Sequence, residues 1–374
     1  MKYELAESIL KSTMGHWDNV KMSEEIKDIQ IISEIKYDDY QQYTHGMRYI
    51  ESLALWMRQF DTPEDKDCAY DLVKNKLVYI SEEEMRQIVM YAYEISMKKY
   101  LMEKTHSFCD KQNITDVDER KKIYRYFRRS SLFLGLSDGA HIDFFRRHNP
   151  ELSNEQVFVH YDFSKEKADD MRKEFQKEQI TEYMKESYGE AINNDFDSFF
   201  LIDDFTGSGK SYIRKDKRGW HGKIKTFFER LENIGFDAQN ASIHLVLYIA
   251  TEKSVSSITE QVNLFTVEKG YRNITIDAIQ IVKPIDWEEN PELAKLLKQN
   301  YEKNMKLGKA SYNDKHFMVG EGSVPYYGFG DCSLPLILYH NTPNNSLPVL
   351  WYSWEDEVNA LFLRITRHKE VLEQ

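Results

Sequence analysis

From Leu132 onward, five short apolar runs recur, and between them lie stretches patterned for helices. The runs are LFLGL (Leu132 to Leu136), VFVHY (Val157 to Tyr161), FFLI (Phe199 to Ile202), IHLVLYI (Ile243 to Ile249) and ITIDAIQIV (Ile274 to Val282). Apolar runs of this length read as strands buried on both faces. Helical patterns fall at Ile142 to Arg147, after a Ser164 cap, at Lys217 to Asn233 and at Ser254 to Val262. Parallel neighbours require a crossover connection, usually a helix. The expected architecture is therefore an α/β domain built on a five-stranded, doubly wound parallel sheet.

Before residue 130 the texture differs. Ile50, Leu53, Leu55, Trp56 and Phe60 recur at helical spacing, as do Leu72, Leu77 and Ile80, and then Met85, Ile88, Val89, Ala92 and Ile95. Ser81 and Glu84 form the capping box that opens the third of these runs. Pro63 suits a first helical position. Two domains are expected, a helical one over residues 1–128 and the α/β domain over 129–374. The helical half reads as a cap that supports the second half, or as the docking site for a protein partner.

Composition narrows the function classes. A net charge of −12 over 374 residues opposes the coating of nucleic acid or of an anionic membrane, so direct nucleic-acid binding is not expected. Cys68, Cys109 and Cys332 lie far apart without a CxxC pair, which signals neither a disulfide framework nor a cysteine zinc site and fits a reducing cytoplasm. The N-terminal residues lack the apolar core of a signal peptide. No run reaches the roughly 18 apolar residues of a membrane span.

The stretch FFLIDDFTGSGKS (Phe199 to Ser211) carries the chemistry. In an open parallel sheet, ligands bind outside the carboxyl ends of the strands. There Asp203 and Asp204 are read as leaving the strand, and Thr206, Gly207, Ser208, Gly209, Lys210 and Ser211 as turning towards the next helix. Small residues at a helix start let backbone N–H groups approach a phosphate. GSGKS suggests an ATP-binding P-loop, but that motif requires a glycine where Asp204 stands. Adjacent carboxylates instead accept strong hydrogen bonds from vicinal hydroxyls. A ribose carrying a 5-phosphate satisfies both halves.

Four apolar residues, two acids, three further residues and a hydroxyl-rich glycine loop resemble the signature of the type I phosphoribosyltransferases, with serine replacing threonine at Ser208 and Ser211. The resemblance implies that Asp203 and Asp204 hold the ribose hydroxyls of phosphoribosyl pyrophosphate, or of a related nucleotide, together with Mg2+, and that the loop holds the 5-phosphate. It also implies a pyrophosphate loop after the first strand, at Ser137, Asp138 and Gly139, where the acidic Asp138 departs from the family pattern. Glu252 and Lys253, after the fourth strand, are read as solvated. The block Tyr326 to Tyr352, with its Asn341, Asn344 and Asn345, is similar to the C-terminal segment of the PRTase-CE group found in bacterial conflict and anti-phage loci. On composition it reads as two strands, Leu334 to Tyr339 and Val349 to Tyr352, joined by a loop. The resemblance makes it part of a base-recognising hood over about residues 284–374, the asparagines reading a base edge beside Trp351 or Tyr352, with a protein partner from the same locus. Three functions remain open on the sequence: a phosphoribosyl- or nucleotide-modifying enzyme, a non-catalytic nucleotide sensor, and an ATPase.

Overall fold

The computed structural model describes residues 3–305, 324–353 and 358–365; the rest of the segment 284–374 lies outside the described residues. Among the described residues nine strands run in chain order: β1 (Val78–Ile80), β2 (Ser131–Gly135), β3 (Val157–Val159), β4 (Ser198–Thr206), β5 (Arg214–Asp216), β6 (Gly219–His221), β7 (Ser242–Ala250), β8 (Thr275–Ile281) and β9 (Leu336–Leu338). Contacts divide the chain into two compact units, residues 86–281 and residues 1–85 with 282–374.

The unit 86–281 holds the expected sheet. All five apolar runs form strands of one parallel sheet in the order β3-β2-β4-β7-β8. In sequence terms this is 2-1-3-4-5, so the order in which the parallel strands are added reverses between the first and third strands. Ligands of open parallel sheets bind at such a switch point, here outside the carboxyl ends of β2 and β4. The central strands carry near-continuous apolar runs because they are covered on both faces. Leu132, Phe133 and Leu134 of β2 and Phe199, Phe200, Leu201 and Ile202 of β4 are fully buried, and Phe133 stacks on Phe200 at 4.9 Å. The compositional change near residue 130 is not where the compact units divide. Helices Lys98–Lys111 and Val117–Arg129 belong with the sheet: the Tyr100 ring lies 5.7 Å from that of Phe200, and Lys104 Nζ pairs with Asp197 at 2.7 Å.

Local signals that name a specific backbone donor are met. Ser164 Oγ accepts from Lys167 N to open helix Lys165–Lys177. Ser81 and Glu84 exchange both bonds of their capping box. Pro63 is the first residue of its helix, behind a Thr62 cap.

In the other unit, two expectations give way. The run expected to carry a helix to Ile80 turns into β1, which pairs in parallel with β9. Val349 to Tyr352 is not the strand partner of Leu334 to Tyr339, because Pro348 starts a helical turn, Pro348–Trp351. Proline lacks the N–H that a strand ladder needs and suits a helix start. The Trp56 indole donates to Val349 O at 2.6 Å, fixing this turn.

Candidate functional site

Two loops meet at the switch point. β4 does not end at Ile202: it stays paired with β7 through Asp203↔Leu247, Phe205↔Ile249 and Thr206↔Ala250. Successive side chains on a strand point to opposite faces, so Asp203 and Asp204 diverge instead of presenting one joint surface. Asp203 is fully buried, whereas Asp204 is half-buried.

Asp203 is sealed by three donors. Its Oδ1 accepts from Ser137 Oγ at 2.5 Å. Its Oδ2 accepts from Tyr212 Oη at 2.6 Å and from the Lys223 ammonium. Burial and the charge of Asp204 push the Asp203 carboxyl above the ordinary carboxylate range, against the pull of Lys223. Burial, then the charge of Asp203, likewise raises the Tyr212 phenol well above its usual value.

The loop after β2 packs against both acids. Ser137 bonds Asp203, and a Cβ at Gly139 would collide with the Asp204 carboxylate, so glycine permits the close approach. Asp138 is exposed and accepts from Tyr161 Oη at 2.7 Å. Tyr248 of β7, fully buried, donates to Ala140 O at 3.0 Å and closes the loop from behind.

The hydroxyl loop is anchored from the opposite side. Thr206 Oγ1 accepts from Gly209 N at 3.1 Å. Gly209 has φ +76, and a Cβ there would lie 2.9 Å from Ile258 Cγ1. Helix Glu252–Lys269 is capped by Thr251, whose hydroxyl donates to Gly207 O at 2.8 Å. Ser254 Oγ reaches Thr206 O at 3.2 Å. Thr251→Ala removes both the cap and this tie, and is expected to lower stability by about 1–2 kcal/mol in denaturant unfolding.

The loop does not lead directly into a helix, as expected from the sequence. The hairpin β5-β6 intervenes, and helix Lys223–Asn233 starts only after it. The first N–H groups of that helix are already used: Lys223 N donates to Ser211 O at 3.1 Å and Ile224 N to Tyr212 O at 3.0 Å. Its dipole end is thus closed by backbone carbonyls.

Sequence reading missed Tyr212, Lys223 and Tyr248. None stands in the acidic motif, and Lys223 follows Asp203 by 20 residues across a hairpin. Asn341, Asn344 and Asn345 belong to the other unit. There Asn341 donates to Ile365 O at 3.2 Å and accepts from Ile365 N and Thr342 N. Asn345 is buried and donates to Phe329 O at 3.0 Å, and Asn344 O accepts from Phe329 N at 2.9 Å. The side chains of Asn341 and Asn345 therefore hold their own segment together.

The expected Mg2+ donors do not form a ready metal cage. Asp203 carries the Lys223 ammonium on one oxygen, and among the described residues no group of three or more His, Cys, Asp or Glu is placed to hold a metal. Magnesium usually relies on one or two carboxylates plus ligand phosphates; Asp204 Oδ1 accepts from Phe205 N at 2.9 Å.

Among known proteins, the model of one family, PRTase-CE, matches residues 53–364. No curated protein and no solved structure matches the chain. The match spans the switch point, the two loops beside it and the C-terminal block, and with it the chain is a member of the PRTase-CE family.

Proposed function

We propose that the protein binds phosphoribosyl pyrophosphate, or a nucleotide that shares its ribose 5-phosphate, at the carboxyl ends of β2 and β4. The observation that carries this reading is the meeting of the Ser137–Gly139 loop, the acidic pair and the anchored 206–211 loop at one switch point of the sheet. Within it, the two acids divide their work. Asp204 grips the ribose hydroxyls, while Asp203 holds the loops in place through Ser137, Tyr212 and Lys223. Thr206, Ser208, Ser211 and the loop amides receive the 5-phosphate, with Lys210 beside them. The loop Ser137–Gly139 faces the pyrophosphate. Magnesium enters as the companion of that anion, with Asp204 as its protein carboxylate.

As an enzyme, the site would act by positioning and electrostatics while pyrophosphate leaves C1 of the ribose, and no side chain need serve as nucleophile. We take the sheet to be doubly wound and the segment 284–374 to be the hood over the base; Asn341 and Asn345 then shape the hood. The setting that fits the family is a bacterial defence system, with the protein as a nucleotide-directed effector. A second reading, a non-catalytic sensor on the same fold, is favoured by the sealing of Asp203 and by the acidic Asp138 in the pyrophosphate loop.

Calorimetric titration with phosphoribosyl pyrophosphate, ribose 5-phosphate and ATP, with and without magnesium, tests the binding. Asp204→Asn is expected to weaken phosphoribosyl pyrophosphate at least about tenfold, the scale of a lost charge-assisted hydrogen bond. Gly139→Ala, which displaces the Asp204 carboxylate, should do likewise while shifting stability by less than about 1 kcal/mol. ATP binding that Lys210→Ala abolishes and Asp204→Asn leaves intact would replace this reading with an ATPase. Turnover assays on the same samples separate enzyme from sensor.

A further inference from the structure

We propose that the groove along the helical hairpin Lys98–Lys111 and Val117–Arg129 docks an acidic amphipathic helix of a partner protein. The two helices face each other across the short link 112–116 and enclose about 480 Å³. Tyr100, Lys104 and Phe108 turn towards the sheet unit's own core, contacting Phe200, Asp197 and Phe127. Met102 and His106, two positions further on, are rotated by about 200° around the helix and line the groove instead. The floor is formed by Met102, Thr105, Cys109, Val117 and Tyr124. Met102 and Val117 are 57% and 63% exposed, so a large part of this apolar surface faces water.

The rim has one sign. Lys98, Arg120, Lys121, Arg125 and Arg128 line the groove, with His106 beside Asp110 at 3.5 Å, and no carboxylate is among the lining residues. Lys98, Arg120 and Lys121 each reach an acid outside the lining, at Glu94, Asp110 and Asp118. Arg125 and Arg128 make no ion pair among the described residues; the Arg128 guanidinium lies 5.8 Å from the Tyr124 ring. This cluster stands on a chain of net charge −12, so it attracts what the rest of the surface repels. A helix laid into such a groove presents an apolar stripe to the floor and flanking acids to the rim. Complementary rim charge sets partner choice and orientation. An apolar floor fits a helix face better than a phosphate backbone, whose recognition rests on charge. The proposal is independent of ribose binding at the switch point.

The test uses the full chain and a fluorescent peptide of about 18 residues, five helical turns, with leucines at i, i+3, i+4 and i+7 spacing and glutamate flanks. Anisotropy should show saturable binding, at least about tenfold tighter than for the lysine-flanked counterpart, as expected where rim charge selects the partner. Arg125→Glu/Arg128→Glu and, separately, Met102→Glu should each weaken it by a similar factor, while Met102→Leu binds as the native chain does. Because these side chains lie at the groove surface, unchanged thermal unfolding should accompany the loss. Equal binding of both peptides, an insensitive double variant, or no binding overturns the proposal. So does tighter capture of a single-stranded oligonucleotide or of phosphatidylserine vesicles through the same arginines, and so does a concentration-dependent dimer that the double variant abolishes.

Discussion

Replacing Lys223 by methionine is expected to destabilise the protein by about 3 kcal/mol at pH values where the folded Asp203 is ionised. The size follows from breaking a buried ion pair by removing one partner, which leaves a buried charge uncompensated; the lower end applies because Lys223 is itself 31% exposed. The effect should depend on pH with a definite sign. The folded Asp203 carboxyl titrates above its unfolded value, so folding takes up a proton in the interval between the two, and this group's contribution to stability falls as pH rises through it. Below that interval Asp203 is neutral in both states, and Lys223→Met costs little. Above it the full cost appears. Asp203→Asn removes the titration, so it should flatten the pH dependence of stability across the interval and largely restore Lys223→Met in the double variant. Denaturant unfolding of the four chains between about pH 4 and pH 8 checks this, since contacting groups reveal their coupling in such a cycle. A Lys223→Met cost that stays constant with pH would remove Asp203 as its cause.

Gly222→Ala is the second large effect, again about 3 kcal/mol. Gly222 has φ 119 and ψ 172, a region open essentially to glycine alone, and holding another residue there costs about 1–3 kcal/mol. A Cβ at this position would also collide with Tyr212 O and lie 2.9 Å from Ile213 Cα. Those atoms belong to backbone and cannot swing aside. The collision would also dislodge the bond from Ile224 N to Tyr212 O, so the helix start carrying Lys223 would shift and Asp203 would lose two donors together. Gly46→Ala provides the contrast: φ is +86 there, but the added Cβ meets nothing within 4 Å. Its cost should stay near 1 kcal/mol, that of the backbone conformation alone. Equal costs at the two glycines in thermal or denaturant unfolding would show that the close approach to Tyr212 does not matter.

Both predictions concern parts of the site that local sequence could not reveal. The five strands were legible because each is a short apolar run between helical patterns, and the order β3-β2-β4-β7-β8 brought the glycine of the loop after β2 and the acids of β4 to the same switch point. The reach of β4 was not legible. Two acids after Ile202 read as a strand end, whereas Asp203 remains in the ladder because Ser137, Tyr212 and Lys223 satisfy it. Its donors come from residue separations of 66, 9 and 20, which no local periodicity records. The hairpin β5-β6 did leave a signal: Asp216 accepts from Arg218 N at 2.7 Å, a turn closed by an acid, and Gly219 follows with φ +112. Helical composition around Lys217 concealed it. In the other unit, Pro348 was the available sign that Val349 to Tyr352 could not continue a ladder.

The central claim is that one molecule is held by both halves of the motif, its sugar at Asp204 and its phosphate in the 206–211 loop. A crystal structure with phosphoribosyl pyrophosphate or ribose 5-phosphate tests it most directly. The account predicts phosphate oxygens within hydrogen-bond distance of Thr206, Ser208 or Ser211 and a ribose hydroxyl on the Asp204 carboxylate, with Asp203 still bonded to Lys223. A sugar phosphate bound elsewhere, or a switch point that stays empty at saturating ligand, would contradict it.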